Sequence, residues 1–264
     1  MITNEDLYYK VAKNIIAWRQ SWGPEYKKLH SEQNREDITK WGKDKLAPFL
    51  SEEDEVIPRD QWDLDGLVGA TSKQLEHFSY TTMRKHLEEN FKPKSNIAVV
   101  MLCANKKPYR TQQYIKQYYT ICQKEGVDFF ILSNPGVIPI DYDGHYPYRY
   151  YEWNETEETE EIKAKYTAVT RARIYRWFTQ FKYKAIVNMV RPGETYDALI
   201  DCPIEQKKFT VFTDENIRKI NDEYIDRFKG STGLLKFRML GLKRTKEMFL
   251  EELRKAKEEV CLFT

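Results

Sequence analysis

The feature that most constrains this chain is the run Ile97-Ala98-Val99-Val100-Met101-Leu102, apolar from end to end. A strand with one wet face alternates apolar and polar residues, so an unbroken run of strand length needs cover on both faces, as inside a parallel sheet. The next residues fit that requirement. Tyr114, Ile115, Tyr118, Tyr119 and Cys122 recur at three and four residues, the spacing of one helix face, and Gly126 stands where a helix-ending glycine belongs. Val127-Asp128-Phe129-Phe130-Ile131-Leu132 then gives a second buried strand, stopped by the turn residues Ser133-Asn134-Pro135-Gly136.

Beyond this unit a loop rich in Tyr and Pro is expected from Val137 to Asn154. The acidic stretch Glu155 to Glu161 favours the N-terminus of a helix running to about Lys182. Its stripe is Ile162, Tyr166, Val169, Tyr175 and Phe178, with Arg171, Arg173 and Arg176 on the flanks. Two more strands are expected at Ala185–Val190 and Phe209–Phe212, with Thr213-Asp214 as the cap of the next helix. The remainder, from Asn216, is helical with a break over Gly230 to Gly241. Strands separated by helices imply right-handed crossovers, hence an α/β fold: three αβα layers around a mostly parallel sheet of about four strands.

Residues 1–93 have a different texture. They hold no continuous β-branched run but show helical stripes, Leu7, Val11, Ile15, Trp18 and later Leu75, Phe78, Met83, Leu87. Pro48, Pro58, Gly66 and Gly69 interrupt them, and Ser51–Glu55 reads as a solvated loop or cap. The expectation is a mainly helical N-terminal extension over 1–93, which could dock a protein partner, before an α/β core domain over 94–264.

Composition narrows the classes. No apolar stretch approaches the roughly 18 residues a membrane span needs, so no membrane role is implied. The start MITNEDLYYK lacks the basic, apolar and small-residue segments of a secretory signal, which predicts a cytoplasmic protein in a reducing compartment. Cys103, Cys122, Cys202 and Cys261 are scattered, without a CxxC pair or a Cys/His cluster, and suggest neither a disulfide framework nor a metal site. Asp141-x-Asp143-Gly144 matches only a fragment of a calcium loop. No cofactor is implied. A net charge of +2 decides nothing about nucleic acid, but 18 Tyr and 13 Phe offer rings of the kind that stack on bases.

Ligands of open parallel sheets bind at the carboxyl ends of the strands. That rule selects Cys103–Tyr109, Ser133–Gly136, Arg191–Tyr196 and Thr213. Within the first, Cys103, Asn105, Lys106, Lys107 and Tyr109 put a thiol, an amide, two ammonium groups and a phenol within one turn. A thiol beside ammonium groups loses its proton more easily, and the thiolate is the nucleophile.

Cys103, three residues, then Lys107-Pro108-Tyr109 resembles the Cys-x-x-x-Lys-Pro-Tyr signature of the archaeosine synthase core domain. Ser133-Asn134-Pro135-Gly136-Val137-Ile138-Pro139, the later Tyr146-Pro147, Trp153 and the stretch from Tyr183-Lys184-Ala185-Ile186 to Tyr196 are also similar to that family, so the likeness covers about Ile97 to Val211. It implies an amidine-forming transferase that joins an amine donor, lysine, to the nitrile of 7-cyano-7-deazaguanine in nucleic acid. By that resemblance Cys103 adds to the nitrile or positions the base, and Lys107 polarises the nitrogen or holds an anion. Tyr109 stacks on or hydrogen-bonds the base. Asn134 and Asn188 read the heterocycle edge or cap their turns, and Asn105, Ser133, Gly136, Tyr146 and Arg191 complete the expected binding set.

The chain also departs from that signature. Leu102, Gln112 and Ile115 stand where the family has a Pro, a Ser and a His, which removes a proton carrier. His145, between Asp143 and Tyr146, is the histidine nearest the expected site and the candidate replacement acid or base. A more distant similarity links the core to uracil-DNA glycosylases, where Lys107 takes the place of an Asp; an ammonium cannot activate water, so hydrolytic base removal is disfavoured. The expected partners are tRNA, DNA or a free deazapurine, with a small amine such as lysine. The alternative is a base-binding module or accessory subunit without chemistry.

Overall fold

The computed structural model describes residues 3–19, 24–32, 34–46, 56–104, 107–154, 157–190, 205–227 and 239–262. The expectations for Ser51–Glu55, Asn105, Lys106, Arg191–Tyr196, Cys202 and Gly230 lie outside the described residues. In chain order the helices are α1 (Asn4–Arg19), α2 (Pro24–Glu32), α3 (Arg35–Leu46), α4 (Ser72–Leu75), α5 (Phe78–Asn90), α6 (Gln113–Glu125), α7 (Glu160–Gln180), α8 (Asp214–Arg227) and α9 (Lys243–Leu262). The strands are β1 (Val68–Gly69), β2 (Ile97–Leu102), β3 (Asp128–Ser133), β4 (Gly136–Pro139), β5 (Glu152–Trp153), β6 (Ala185–Asn188) and β7 (Lys207–Thr210). They fall into two compact units, Met1–Glu89 with Gly144–Ile162, and Asn90–Asp143 with Lys163–Thr264. The sequence boundary at 93 stands beside the passage from Glu89 to Asn90, and Gly144–Ile162 groups with the N-terminal residues.

In the first unit α1 packs on α2 and α3 around Ala12, Ile16 and Ile38, with Tyr9, Tyr26, Leu29 and Trp41 at the margin. Gly42 lets α3 lie close to α1, because a Cβ there would sit 2.5 Å from the Tyr8 carbonyl oxygen. Of the predicted α1 stripe, Leu7 is buried and Val11 half-buried, the side chains of Ile15 and Trp18 lie outside those described, and Ala12 and Ile16 are buried with Leu7. In α5, Met83 and Leu87 are buried as expected and Phe78 is exposed, since it opens the helix before its apolar face is established. This mainly helical region also holds a two-stranded sheet: β1 runs parallel to β5, with Val68 opposite Glu152. The Gln74 side-chain amide closes it by donating to the carbonyls of Leu67 at 2.8 Å and Glu152 at 2.7 Å.

The second unit is the expected α/β core with one more strand. Its sheet runs β4-β3-β2-β6-β7, parallel throughout except for β4, which pairs antiparallel with β3 through the tight turn at Asn134-Pro135. The loop expected from Val137 is therefore a strand at its start: Gly136–Pro139 ends in a proline, which an edge position tolerates and a central strand does not. Alternation along β3 explains the layers. Phe129 meets Tyr119 of α6, while Phe130 meets Trp177 and Phe178 of α7 together with Phe91 and Tyr183. Emptying the Phe130 site to Ala would cost about 3–5 kcal/mol. α9 covers β6, β7 and β2, and Phe249 meets Tyr118 edge-on, so α6 and α9 share a face. The buried line of α7 is Tyr166, Thr170, Ile174, Trp177 and Phe178, which leaves the predicted Tyr175 exposed, one position round from Ile174. No described helix is long and apolar enough to cross a membrane.

Candidate functional site

Order in the sheet marks the edge at which ligands of such sheets bind. From β2 the chain proceeds through α6 to β3 on one side, whereas β6, on the other side of β2, continues outward to β7. Where onward connections diverge in this way, the carboxyl ends of the two strands leave a gap that ligands use. Cys103 follows β2 at that edge, and Asn188 ends β6 beside it, with Met189 N–H donating to the Val100 carbonyl at 2.9 Å. On its other side the Cys103 N–H extends the ladder to the Leu132 carbonyl at 3.0 Å, which puts the end of β3, Ser133 and Asn134, next in line.

The side chains at this edge differ in what they offer. Cys103 is half-buried and is not part of a disulfide. Burial, and after it the charge of a Cys103 thiolate, pushes the phenol of Tyr114 up, so Tyr114 of α6 lies within electrostatic reach of the sulfur. Lys107 is half-buried, its ammonium 5.8 Å from the centre of the Tyr109 ring. Tyr109 itself is fully buried, so its ring belongs to the core under the lysine and presents no free face for stacking on a base.

Ser133 and Asn134 are each 1% exposed. The Ser133 hydroxyl donates to Asn134 Oδ1 at 3.3 Å, and Arg173 Nη1 donates to the Asn134 carbonyl at 2.7 Å. Asn134 Nδ2 is buried with no hydrogen-bond partner. Such an orphaned donor costs about 1–3 kcal/mol, and a ligand acceptor is one way to satisfy it. Gly136 turns the chain at φ +102, and a Cβ there would meet Arg173 Cβ at 2.7 Å. Asn188 is also buried, but its Oδ1 accepts the Val190 N–H at 2.8 Å, so this side chain caps its own strand end.

His145 and Tyr146 belong to the first unit. His145 is half-buried, and its carbonyl accepts the Arg149 N–H at 3.1 Å. Tyr146 is fully buried, stacked on Trp62 at 4.8 Å, with its hydroxyl accepting the Asp63 N–H at 3.0 Å. Asn105 and Arg191 lie outside the described residues.

Three further side chains bear on the site, and sequence reasoning does not single them out. Arg173 stands in the sequence only as a helix-flank arginine, yet it holds the β3–β4 turn. Tyr114 reads as part of an apolar stripe. Asp143 is visible only in a calcium-loop fragment; here its side chain is fully buried and Oδ2 accepts the Arg110 N–H at 2.7 Å. Burial pushes its carboxyl up to about 6, against the N–H groups of Arg110 and Tyr109 and the Arg110 guanidinium, which favour the carboxylate.

No curated protein matches this chain. Among solved structures it is similar to the crystal structure of AF0587, a protein of unknown function, at 17% identity and a TM-score of 0.35. That likeness covers 64% of this chain, which spans 55% of the other. Residues 81–230 match the family described as a domain of unknown function (DUF5591), more than half of the 264 residues, and the chain belongs to that family.

Proposed function

We propose that this protein modifies a 7-deazaguanine base, in tRNA, in DNA or free, by adding an amine such as lysine to its nitrile. The observation that carries the reading is the Asn134 amide, buried and unpartnered at the end of β3, next in line to the strand that ends in Cys103. A donor held in a dry place at a strand end suits a heterocycle acceptor. The archaeosine-synthase-like order of Cys103, Lys107, Ser133 and Gly136 along the chain supports it further.

In this reaction the Cys103 thiolate adds to the nitrile carbon, forming a C–S bond while the nitrogen takes up a proton to give a thioimidate. The amine then bonds to the same carbon, the thiolate leaves, and the amine's proton is released. The net change is addition of an N–H across the triple bond, giving an amidine. Lys107 offers positive charge to the developing negative nitrogen.

One observation favours a second reading, a base-binding module or accessory subunit without chemistry. Ile115, at the place of the family's histidine, is fully buried in α6, so this position supplies core and no proton carrier. Mass spectrometry of nucleosides from cells with and without the protein separates the two. A deazapurine whose mass changes with the protein is expected for the enzyme; identical nucleoside profiles contradict it and leave the binder.

A further inference from the structure

The turn that follows Lys107-Pro108 is held by a carboxylate from the far end of the next hairpin. Tyr109–Thr111 form a single 3-10 turn with no side-chain cap at Pro108, so the N–H groups that open it need an acceptor from elsewhere. Asp143 provides one. Its Oδ2 accepts the Arg110 N–H at 2.7 Å, the Tyr109 N–H also points to this carboxylate, and Oδ1 lies 3.2 Å from Arg110 Nε. The segment bearing Asp143 is itself fixed: Asp141 accepts the Tyr119 hydroxyl at 2.6 Å and pairs with Lys94 at 2.7 Å. Both anchors lie on the core unit, one in α6 and one just before β2. A fully buried carboxylate is costly unless it is satisfied, and this one directs Oδ2 at the backbone of a loop while Oδ1, near Arg110 Nε, makes no hydrogen bond. That is how a supporting group fixes a reactive one.

We propose that Asp143 is the positioning residue of the Lys107–Tyr109 turn, fixing the ammonium of Lys107 where it lowers the proton affinity of the Cys103 thiol. The proposal deepens the nitrile-addition reading and rests on it, but its test needs no substrate. Alkylation of the full chain by iodoacetamide is followed across pH, and the Cys103 peptide is read by mass spectrometry apart from those of Cys122, Cys202 and Cys261. Lys107→Met sets the reference, since losing a nearby ammonium slows alkylation at neutral pH roughly three- to ten-fold. Asp143→Ala is expected to match that slowing and to add nothing in the double variant. Asp143→Asn, whose Oδ1 still accepts the Arg110 N–H, restores most of the rate. An Asp143→Ala profile like the unaltered protein's, or an effect that adds to Lys107→Met, overturns the proposal.

Should Asp143→Ala fail to fold, hydrogen exchange on the unaltered chain decides. The Arg110 amide is expected to be strongly protected, and exchange at the rate of an open loop overturns the proposal. A chain with the expected alkylation pattern that converts no nitrile base costs the function and leaves the positioning intact.

Discussion

Arg173 holds the β3–β4 turn twice: its Nη1 donates to the Asn134 carbonyl at 2.7 Å, and its Cβ fills the space over Gly136. The same turn carries the buried Asn134 amide, so a helix-flank arginine sets where that amide sits.

Gly136→Ala is therefore expected to be costly. At φ +102 an L-residue is strained by about 1–2 kcal/mol, and the new Cβ must displace Arg173 Cβ, itself fixed on a helix. A total loss of about 2–4 kcal/mol in a urea melt is expected. A midpoint unchanged from the parent would show that the turn relaxes freely.

Asn134→Leu should behave in the opposite way. It removes a buried donor that has no partner and also the acceptor of the Ser133 hydroxyl, so the two effects offset and stability is expected to change by no more than about 1 kcal/mol. Binding of 7-cyano-7-deazaguanine, measured by calorimetry, should weaken at least about ten-fold with loss of a hydrogen bond to the base. A large loss of stability with binding intact would make Asn134 structural only.

A pH signature is expected in the first unit. His77 Nδ1 accepts the Ser79 hydroxyl at 2.7 Å and the Ser79 N–H at 3.3 Å, while Nε2 faces Asp63 at 3.4 Å, with Lys73 the other nearby charge. Burial lowers the His77 pKa below 6.5 despite Asp63, so the folded state favours the neutral ring. Its stabilisation is then complete above pH 6.5 and is lost as pH falls through the folded value. Asp143 acts with the opposite sign, because its raised pKa makes its contribution fade as pH rises through about 6. Asn at 77 keeps an acceptor for the Ser79 N–H without the titration, which isolates the histidine. The stability gap between the parent and His77→Asn should narrow from pH 7 to pH 5 in urea melts. A gap that stays constant or widens contradicts the assignment.

The layers of the core are legible in the sequence because β2 and β3 are unbroken apolar runs and Gly126 marks the end of α6 at φ +66. β4 is not, since four residues ending in proline give no period to read. β1 and β5 are invisible for the same reason at two residues each. On α7, two aromatic residues, Tyr175 and Tyr166, look alike in sequence, and only packing separates the exposed one from the core. Cys103, Ser133 and Asn134 can be placed at strand ends from the pattern alone. The part played by Asp143 cannot, because its partner Arg110 lies 33 residues away and its hydrogen bond goes to the backbone N–H there, which leaves no mark on residue type, while the guanidinium is only one of many arginines that could face it.

The proposed nitrile addition by way of a thioimidate rests on the thiol at the end of β2. The direct measurement compares the parent chain with Cys103→Ala, using 7-cyano-7-deazaguanine as the free base or in nucleic acid together with lysine, and follows amidine formation by mass spectrometry and binding by calorimetry. Turnover that disappears while binding persists is the predicted result. Turnover undiminished in Cys103→Ala would contradict nucleophilic addition by this residue, and no turnover in either protein would leave a base-binding module.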